Sequence, residues 1–225
     1  MSLLGRLAGA SLALALSVPV AVAAGKLLTG PILSATGSRA FLAGFGLAVM
    51  ATPFIKRLDF VNNFAHELGH MAMAVVTGGT VAEFVATNAS GGHVRHRGTG
   101  TFSLPITIAP YCVPLLAFAV AAVSLLRGPS PALGFAILMG LAAGYHAVLA
   151  VLDLGANFAY GITGTDLERF GPACTLAWIW LVNVAAFGSL LAYAADGLSG
   201  LSVFWVVSWH EAVQLSLLVA GRGTT

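Results

Sequence analysis

A chain of 225 residues that is 58% hydrophobic and 8% charged, with a mean hydropathy of +0.93, is not a soluble domain. Soluble domains carry about 25% charged residues and cannot keep so apolar a surface in water; this is an integral membrane protein. A formal net charge of +2 with no basic run argues against a nucleic-acid partner.

Taken in chain order, apolar segments of near-spanning length fall at residues 7–25, 40–55, 60–78, 103–126, 132–158, 172–195 and 199–220. Lipid offers no partner to an open backbone, so each is expected to be helical. The fold class is an all-α polytopic membrane protein with about six to seven transmembrane helices. The opening stretch, "MSLLGRLAGASLALALSVPVAVAAGK", is built much like a cleavable signal peptide but is read as an uncleaved first helix. Residues 79–102, "GTVAEFVATNASGGHVRHRGTGTF", interrupt the apolar pattern. Alternation, a glycine-rich turn and renewed alternation predict a small β-hairpin there. Asn88-Ala89-Ser90 on the turn is a formal glycosylation sequon of little weight. The chain divides into N-terminal transmembrane helices over 1–59, a core over 60–160 that contains the hairpin, and C-terminal transmembrane helices over 161–225. Alternating crossings put Lys26, Arg39, Arg95, Arg97, Arg169 and Arg222 on the side where the hairpin emerges, against Arg6, Lys56, Arg57 and Arg127 opposite. That bias gives a weak cytoplasmic assignment for the hairpin side. Cys112 and Cys174 lie apart in apolar stretches and read as buried small hydrophobes.

The third segment carries His66-Glu67-Leu68-Gly69-His70. On a helix, positions i and i+4 share a face, so His66 and His70 can offer two imidazole nitrogens to one metal. Glu67 projects from nearly the same face and can reach a water beside it. A catalytic zinc takes three protein ligands and one open position; the stretch supplies two ligands and a base. At average residue usage the pattern arises by chance in about one chain of this length in a hundred. Ionisable residues within apolar segments are costly and usually functional.

Other polar residues share the apolar segments. His146 and Asp153, seven apart, lie on one face of the fifth, and Asn157 follows a turn later. Trp209-His210-Glu211 in the seventh reads as an interhelical hydrogen-bonding site, and Trp178, Trp180, Trp205 and Trp209 as packing or interfacial anchors. Asp166, in "GITGTDLERFGP", admits two readings. Thr165 or Asp166 caps a short helix, or the loop folds back toward a metal.

These residues resemble the site-2 protease family of intramembrane zinc metalloproteases, and more closely its smaller bacterial site-2-protease-like branch. His66, Glu67 and His70 match the first family motif. "VVTGG" at 75–79 echoes the sequence that follows it, and the hairpin sits where the family has strands. "VLDLG" at 151–155 resembles the family's L-D-G with one residue inserted. The family's Asn eight positions before that Asp has no match, and His146 stands seven before it. The resemblance spans roughly residues 60–180.

The resemblance implies a Zn2+ cofactor, Glu67 as general base, a membrane-anchored protein substrate, and a multi-pass protein of a bacterial inner membrane. It implies Asp153 as third metal ligand beside His66 and His70. At about 1.5 Å per residue, Asp153 and His146 bracket the depth of the histidine pair, whereas Asp166 lies beyond the helix end. His146 and Asp166 stay as alternative ligands or supporting groups, with Asn157 nearby. The rival readings are a non-enzymatic membrane protein that keeps the cluster for metal binding or helix packing, and a transporter with a His146–Asp153 proton relay. The oligomeric state is left open by the sequence.

Overall fold

A computed structural model describes residues 2–29, 35–87, 92–98, 103–161 and 165–220. In chain order the elements are α1 (Leu3–Thr29), α2 (Thr36–Met50), α3 (Thr52–Ile55), α4 (Asp59–Val76), β1 (Thr80–Ala86), β2 (Gly92–Arg97), α5 (Ser103–Cys112), α6 (Leu115–Leu125), α7 (Leu133–Tyr160), α8 (Asp166–Phe170) and α9 (Pro172–Val219). β1 and β2 pair antiparallel, with Val85 opposite His93 and an irregularity between Val81 and Glu83. The predicted hairpin is thus present as a strand pair. Its turn, with the sequon, lies outside the described residues, as does Arg222.

Where lipid supplies no hydrophobic drive between helices, close backbone approach through small residues holds a bundle together. Here α2 and α7 meet in this way. A Cβ on Gly140 would stand 1.9 Å from the Phe41 carbonyl oxygen, one on Gly44 2.2 Å from that of Ile137, and one on Gly144 2.7 Å from that of Phe45. The contacts climb together, from Phe41 beside Gly140 to Ile55 beside Val148 and Leu149, so α2 and α7 run parallel. The core there gathers Phe41, Met139, Leu190 and Tyr193.

α9 is not straight. Asp196 and Gly197 leave helical geometry, and the Phe204 ring lies where a Cβ on Gly188 would be, 2.5 Å from its Cζ. In a continuous helix those two residues would be about 24 Å apart; the chain therefore folds back on itself into two apolar legs. α1 lies along the first leg in the same direction, with Ala10 beside Cys174 and Leu27 beside Ala192. Glu211 on the second leg pairs with Lys26 of α1, which is the interhelical contact expected near His210. Both cysteines are free and buried.

Among the described residues, three helices are long and apolar enough to cross a membrane: α1, α7 and α9. There are four if α5 and α6, bent by 82° across Val113–Pro114, count as one span. The expected six to seven crossings are not met by this count. α2 has 15 residues, about 22 Å, short of a hydrocarbon core of about 30 Å. α4 has 18 residues but carries Asp59, Asn62, Asn63, His66, Glu67 and His70. Segment 103–126 breaks because Pro114 has no N–H to give and its ring crowds the preceding turn.

The charge tally also changes. Gly171 abuts the Arg6 side chain, and Gly37 abuts the Ala194 carbonyl at the other end of the first leg. Arg6 thus lies at the end that holds α8, with Arg169, while Arg39 lies at the opposite end. Strict alternation of crossings had placed both the other way. α2 and α7 also lie side by side in one direction.

The glycine crossing sets a stability test. Gly140→Ala is expected to cost about 1–3 kcal/mol, as overpacking against backbone does, and to lower the thermal unfolding midpoint in detergent. Gly134→Ala, on the same helix with nothing within 4 Å of its Cβ position, is expected to leave the midpoint level or slightly raised.

Candidate metal centre

The site is built on α4. Asn62 and Asn63, a turn ahead of His66, fasten it at both sides: Asn62 Nδ2 donates to the Ile55 carbonyl at 2.8 Å, and Asn63 Nδ2 to the Thr87 carbonyl at 2.7 Å. Tyr145 of α7 donates to Asn62 Oδ1 at 3.1 Å. The Phe64 ring meets Phe84 of β1 edge-on at 5.4 Å, seating the strand pair on the helix. Gly69 lets α5 close in, for a Cβ there would lie 2.9 Å from Pro110 Cα.

That approach sets the imidazoles. His70 Nδ1 donates to the Ile106 carbonyl at 2.8 Å, and a carbonyl can only accept, so in the neutral ring the Nε2 of His70 carries the lone pair. His66 Nδ1 donates to Asp153 Oδ2 at 2.9 Å, which frees its Nε2 likewise. Both free nitrogens turn to one carboxylate oxygen, Asp166 Oδ2, at 3.3 Å from His70 and 3.7 Å from His66. Ligand atoms of His66, His70 and Asp166 all lie within 4.8 Å of one another. Three lone-pair donors so close repel unless a cation sits among them. N and O ligands about 2.0–2.2 Å from a tetrahedral zinc stand about 3.3–3.5 Å apart. The 3.3 Å spacing fits such an ion and the 3.7 Å one is slightly wide; these three residues can hold a metal.

Asp166 is brought in from outside the apolar helices. Its neighbour Leu167 is fully buried beside Ile108, Tyr111, Cys112 and Ile179, which anchors α8 under the site. Tyr111 Oη donates to Asp166 Oδ2 at 3.2 Å and accepts from Asn157 Nδ2 at 3.1 Å. The Tyr111 ring stands edge-on to His66 at 5.3 Å.

A pocket of about 700 Å³ opens over this cluster, with Glu67, His93 and Arg169 in its wall. Glu67 is buried because the start of β2 lies on it: a Cβ on Gly92 would be 2.5 Å from Glu67 Cγ.

Of the residues singled out from sequence, His66, Glu67, His70, Asp153, Asn157 and Asp166 line one pocket. His146 lies instead in a neighbouring apolar cavity. The trio His66, His70 and Asp153 does not form. Asp153 sits on Nδ1 of His66, whereas the clustered nitrogens are Nε2. The depth argument compared positions within helices, whereas Asp166, on α8, stands beside both histidines. Asp166 does start a short helix, with Thr165 at the cap position but no capping bond from its side chain. Tyr111, Asn63, Gly92 and Arg169 were not anticipated. A tyrosine between Pro110 and Pro114, at a break in an apolar segment, was the one available signal.

A family model described as Peptidase M50B-like matches residues 40–163, more than half of the chain. The match takes in α4, the hairpin and all of α7, and stops short of Asp166. No curated protein and no solved structure matches the chain.

Tyr111→Phe retains the ring against His66 and removes the hydrogen bond to Asp166. Losing such a supporting partner typically costs 10–100-fold in metal affinity. A drop of about 10-fold in chelator competition is expected, with little change in unfolding temperature without metal.

Proposed function

The chain belongs to the peptidase M50B-like family, among the site-2 proteases, and on that footing we propose that it is an intramembrane zinc metalloprotease. It hydrolyses peptide bonds of membrane-anchored proteins, within or near their transmembrane helices. The observation that supports this most is the convergence of His66 Nε2, His70 Nε2 and Asp166 Oδ2 beside a buried glutamate. In this reading the metal ligands are His66, His70 and Asp166. When bound, zinc supplies Lewis acidity that makes water nucleophilic at neutral pH.

The chain's own residues then have distinct work. Asp153 holds the His66 tautomer and ring plane through Nδ1, as carboxylates behind metal-binding imidazoles do. Tyr111, steadied by Asn157, orients Asp166. Glu67 takes the proton of the attacking water and returns it to the leaving amine nitrogen. The wall of β2 over Glu67 keeps bulk water from that carboxylate. A peptide bond inside a helix is hydrogen-bonded and covered, so the substrate unwinds locally before it is cut. The hairpin beside the pocket offers an edge on which the freed segment adds as a strand.

For the membrane arrangement, we read the two legs of α9 as separate crossings, and α2 and α4 as further partial or complete ones. That supports a multi-pass protein near the original six to seven. The bacterial inner membrane remains the location that the resemblance favours.

Two variants test the roles. Glu67→Gln keeps size and hydrogen bonding but cannot take the proton; cleavage of a membrane-anchored reporter is expected to fall at least 100-fold with the zinc content of the purified protein unchanged. Full turnover in that variant would refute the assignment of the base. For the ligands, Asp166→Ala is expected to yield protein without stoichiometric zinc. Asp153→Ala is expected to keep zinc and bind it about 10–100-fold more weakly. The reverse result would return Asp153 to the metal.

A further inference from the structure

The floor of the metal pocket is the cluster of His66, His70 and Asp166 beside Glu67, but its wall is finished by segments beyond the helix ends. His93 and His96 of β2, together with Thr165 and Arg169 at α8, line it, as do Asn63 and Asn157. His93 and Arg169 are exposed, so the pocket opens at the hairpin end of the bundle. Polar side chains of this kind lose hydration against hydrocarbon and gain nothing in return. An intact apolar helix laid among them would impose that loss. The wall suits a polar segment with its backbone extended.

Arg169 stands out in this wall. Among the described residues, no carboxylate lies within 4 Å of its guanidinium: Glu83 is paired with His93 and Arg95, and Asp153 and Asp166 face His66 and His70. Its Cζ rests 5.8 Å from the centre of the Phe170 ring, which steadies the side chain without meeting its charge. Arg95 and Arg97 are exposed at the same end. Neither lines the pocket, and Arg95 already has Glu83 at 3.3 Å. Arg169 follows Asp166 by three positions on α8, so the two share a face with Cβ atoms about 5–6 Å apart. Its guanidinium thus stands on the order of 6–10 Å from the metal cluster. An extended chain covers that in about two or three residues, at about 3.3–3.6 Å each.

We propose that Arg169 is a specificity-determining residue: its guanidinium takes up an acidic side chain of the substrate, about two or three residues from the scissile bond, in a polar segment beside the transmembrane helix. The inference rests on the protease reading and narrows its substrate class. The planar fork of an arginine matches a carboxylate with two parallel N–H groups. Glutamine or asparagine in that place keeps only a neutral hydrogen bond, and lysine meets a like charge. Arg169 and Asp166 also share one short helix, so the group that reads the substrate is fixed in register with a candidate metal ligand. A lipid phosphate is the other anion at a membrane surface, but to reach Arg169 here it would have to enter the pocket that holds the metal site. Arg97, outside that pocket, is better placed for headgroups.

The test has two arms on the full-length, zinc-loaded protein. In the first, Glu67→Gln protein in neutral detergent is titrated with short peptide hydroxamates and mercaptoacetyl peptides, which grip a metal from either end. Each carries Glu, Gln or Lys two or three residues from the chelating group. In one of the two series the Glu peptide is expected to bind about 3–5-fold tighter than the Gln peptide, the worth of an ion pair half open to water. Arg169→Gln should bring the two level and Arg169→Glu should favour the Lys peptide, each with zinc content and unfolding temperature unchanged. In the second arm, wild type cleaves membrane-anchored reporters in which the three positions on either side of the cut are changed in turn to Glu, Gln or Lys. A similar preference for Glu in kcat/KM is expected at one position about two or three residues from the cut, erased by Arg169→Gln and turned toward Lys by Arg169→Glu. A preference for Glu that survives both variants overturns the assignment, as does the absence of any preference in wild type. If Arg169→Gln instead slows Glu and Gln reporters alike, and only in bilayers with anionic lipid, Arg169 holds headgroups and the proposal fails. Peptide discrimination with the expected variant effects, but no reporter cut by wild type, upholds Arg169 as a reader of carboxylates beside the metal while the protease reading fails.

Discussion

Three lone-pair donors meet in the interior of an apolar protein, and much of the local architecture follows from that. With both rings neutral, His66 Nε2, His70 Nε2 and Asp166 Oδ2 turn lone pairs toward one another and repel. Each is kept in place from behind. His70 is fixed by the Ile106 carbonyl, His66 by Asp153, and Asp166 by Tyr111. Those partners come from α5 and α7, and their approach to α4 depends on backbone contact at Gly69 and Pro110. The cost of assembling like groups is met by a network that partners both Nδ1 atoms and braces Asp166 Oδ2, and a bound cation would convert repulsion into attraction.

The same network explains the broken helix between α5 and α6. A continuous α5 would hydrogen-bond its last carbonyls internally and carry Tyr111 along a straight face. The break at Val113–Pro114 stops the helix where it can serve the site. Tyr111 O accepts from Asn183 of α9 at 2.9 Å, and Tyr111 Oη reaches the metal cluster. Ile106, Tyr111 and the first leg of α9 are thereby tied into one frame around the histidines. The wide bend also leaves the gap between α4, α6 and α7 in which His146 lies.

What the sequence made legible was whatever depends on short spacing. The i, i+4 histidines with Glu67 declared the helix and the polar face on it, because a 3.6-residue period fixes which side chains share a face. Alternation over 80–97 declared the strand pair for the same reason at a period of two. Spacing along the chain carries no information about a turn that doubles back. Asp166 was therefore set aside for lying past a helix end, and Asp153 preferred for lying at the right depth, although it is the Asp166 carboxylate that faces both Nε2 atoms. The count of crossings is not confirmed, for a similar reason. Apolar length shows which segments prefer lipid, yet it does not reveal that α2 and α7 run side by side in one direction. Nor does it show that Phe204 folds back onto Gly188. Those facts are written in glycines at helix crossings, and their meaning depends on a partner that the sequence does not name.

The third candidate ligand sits on the least self-sufficient element of the fold. α8 is five residues long, too short to persist as a helix on its own. Two things dock it: Leu167 in the cluster around Tyr111 and Cys112, and the hydrogen bond from Tyr111 to Asp166. A metal on Asp166 would be a third. Since a ligand stabilises whichever state it prefers, metal binding and the docking of α8 must reinforce each other. Whatever loosens α8 would then weaken metal binding, and loss of a bound metal would loosen α8. Arg169, on the same short helix and in the wall of the pocket, moves with it. The family match ends at residue 163, so this coupling lies at the edge of the region that defines the family, while the histidines lie well inside it.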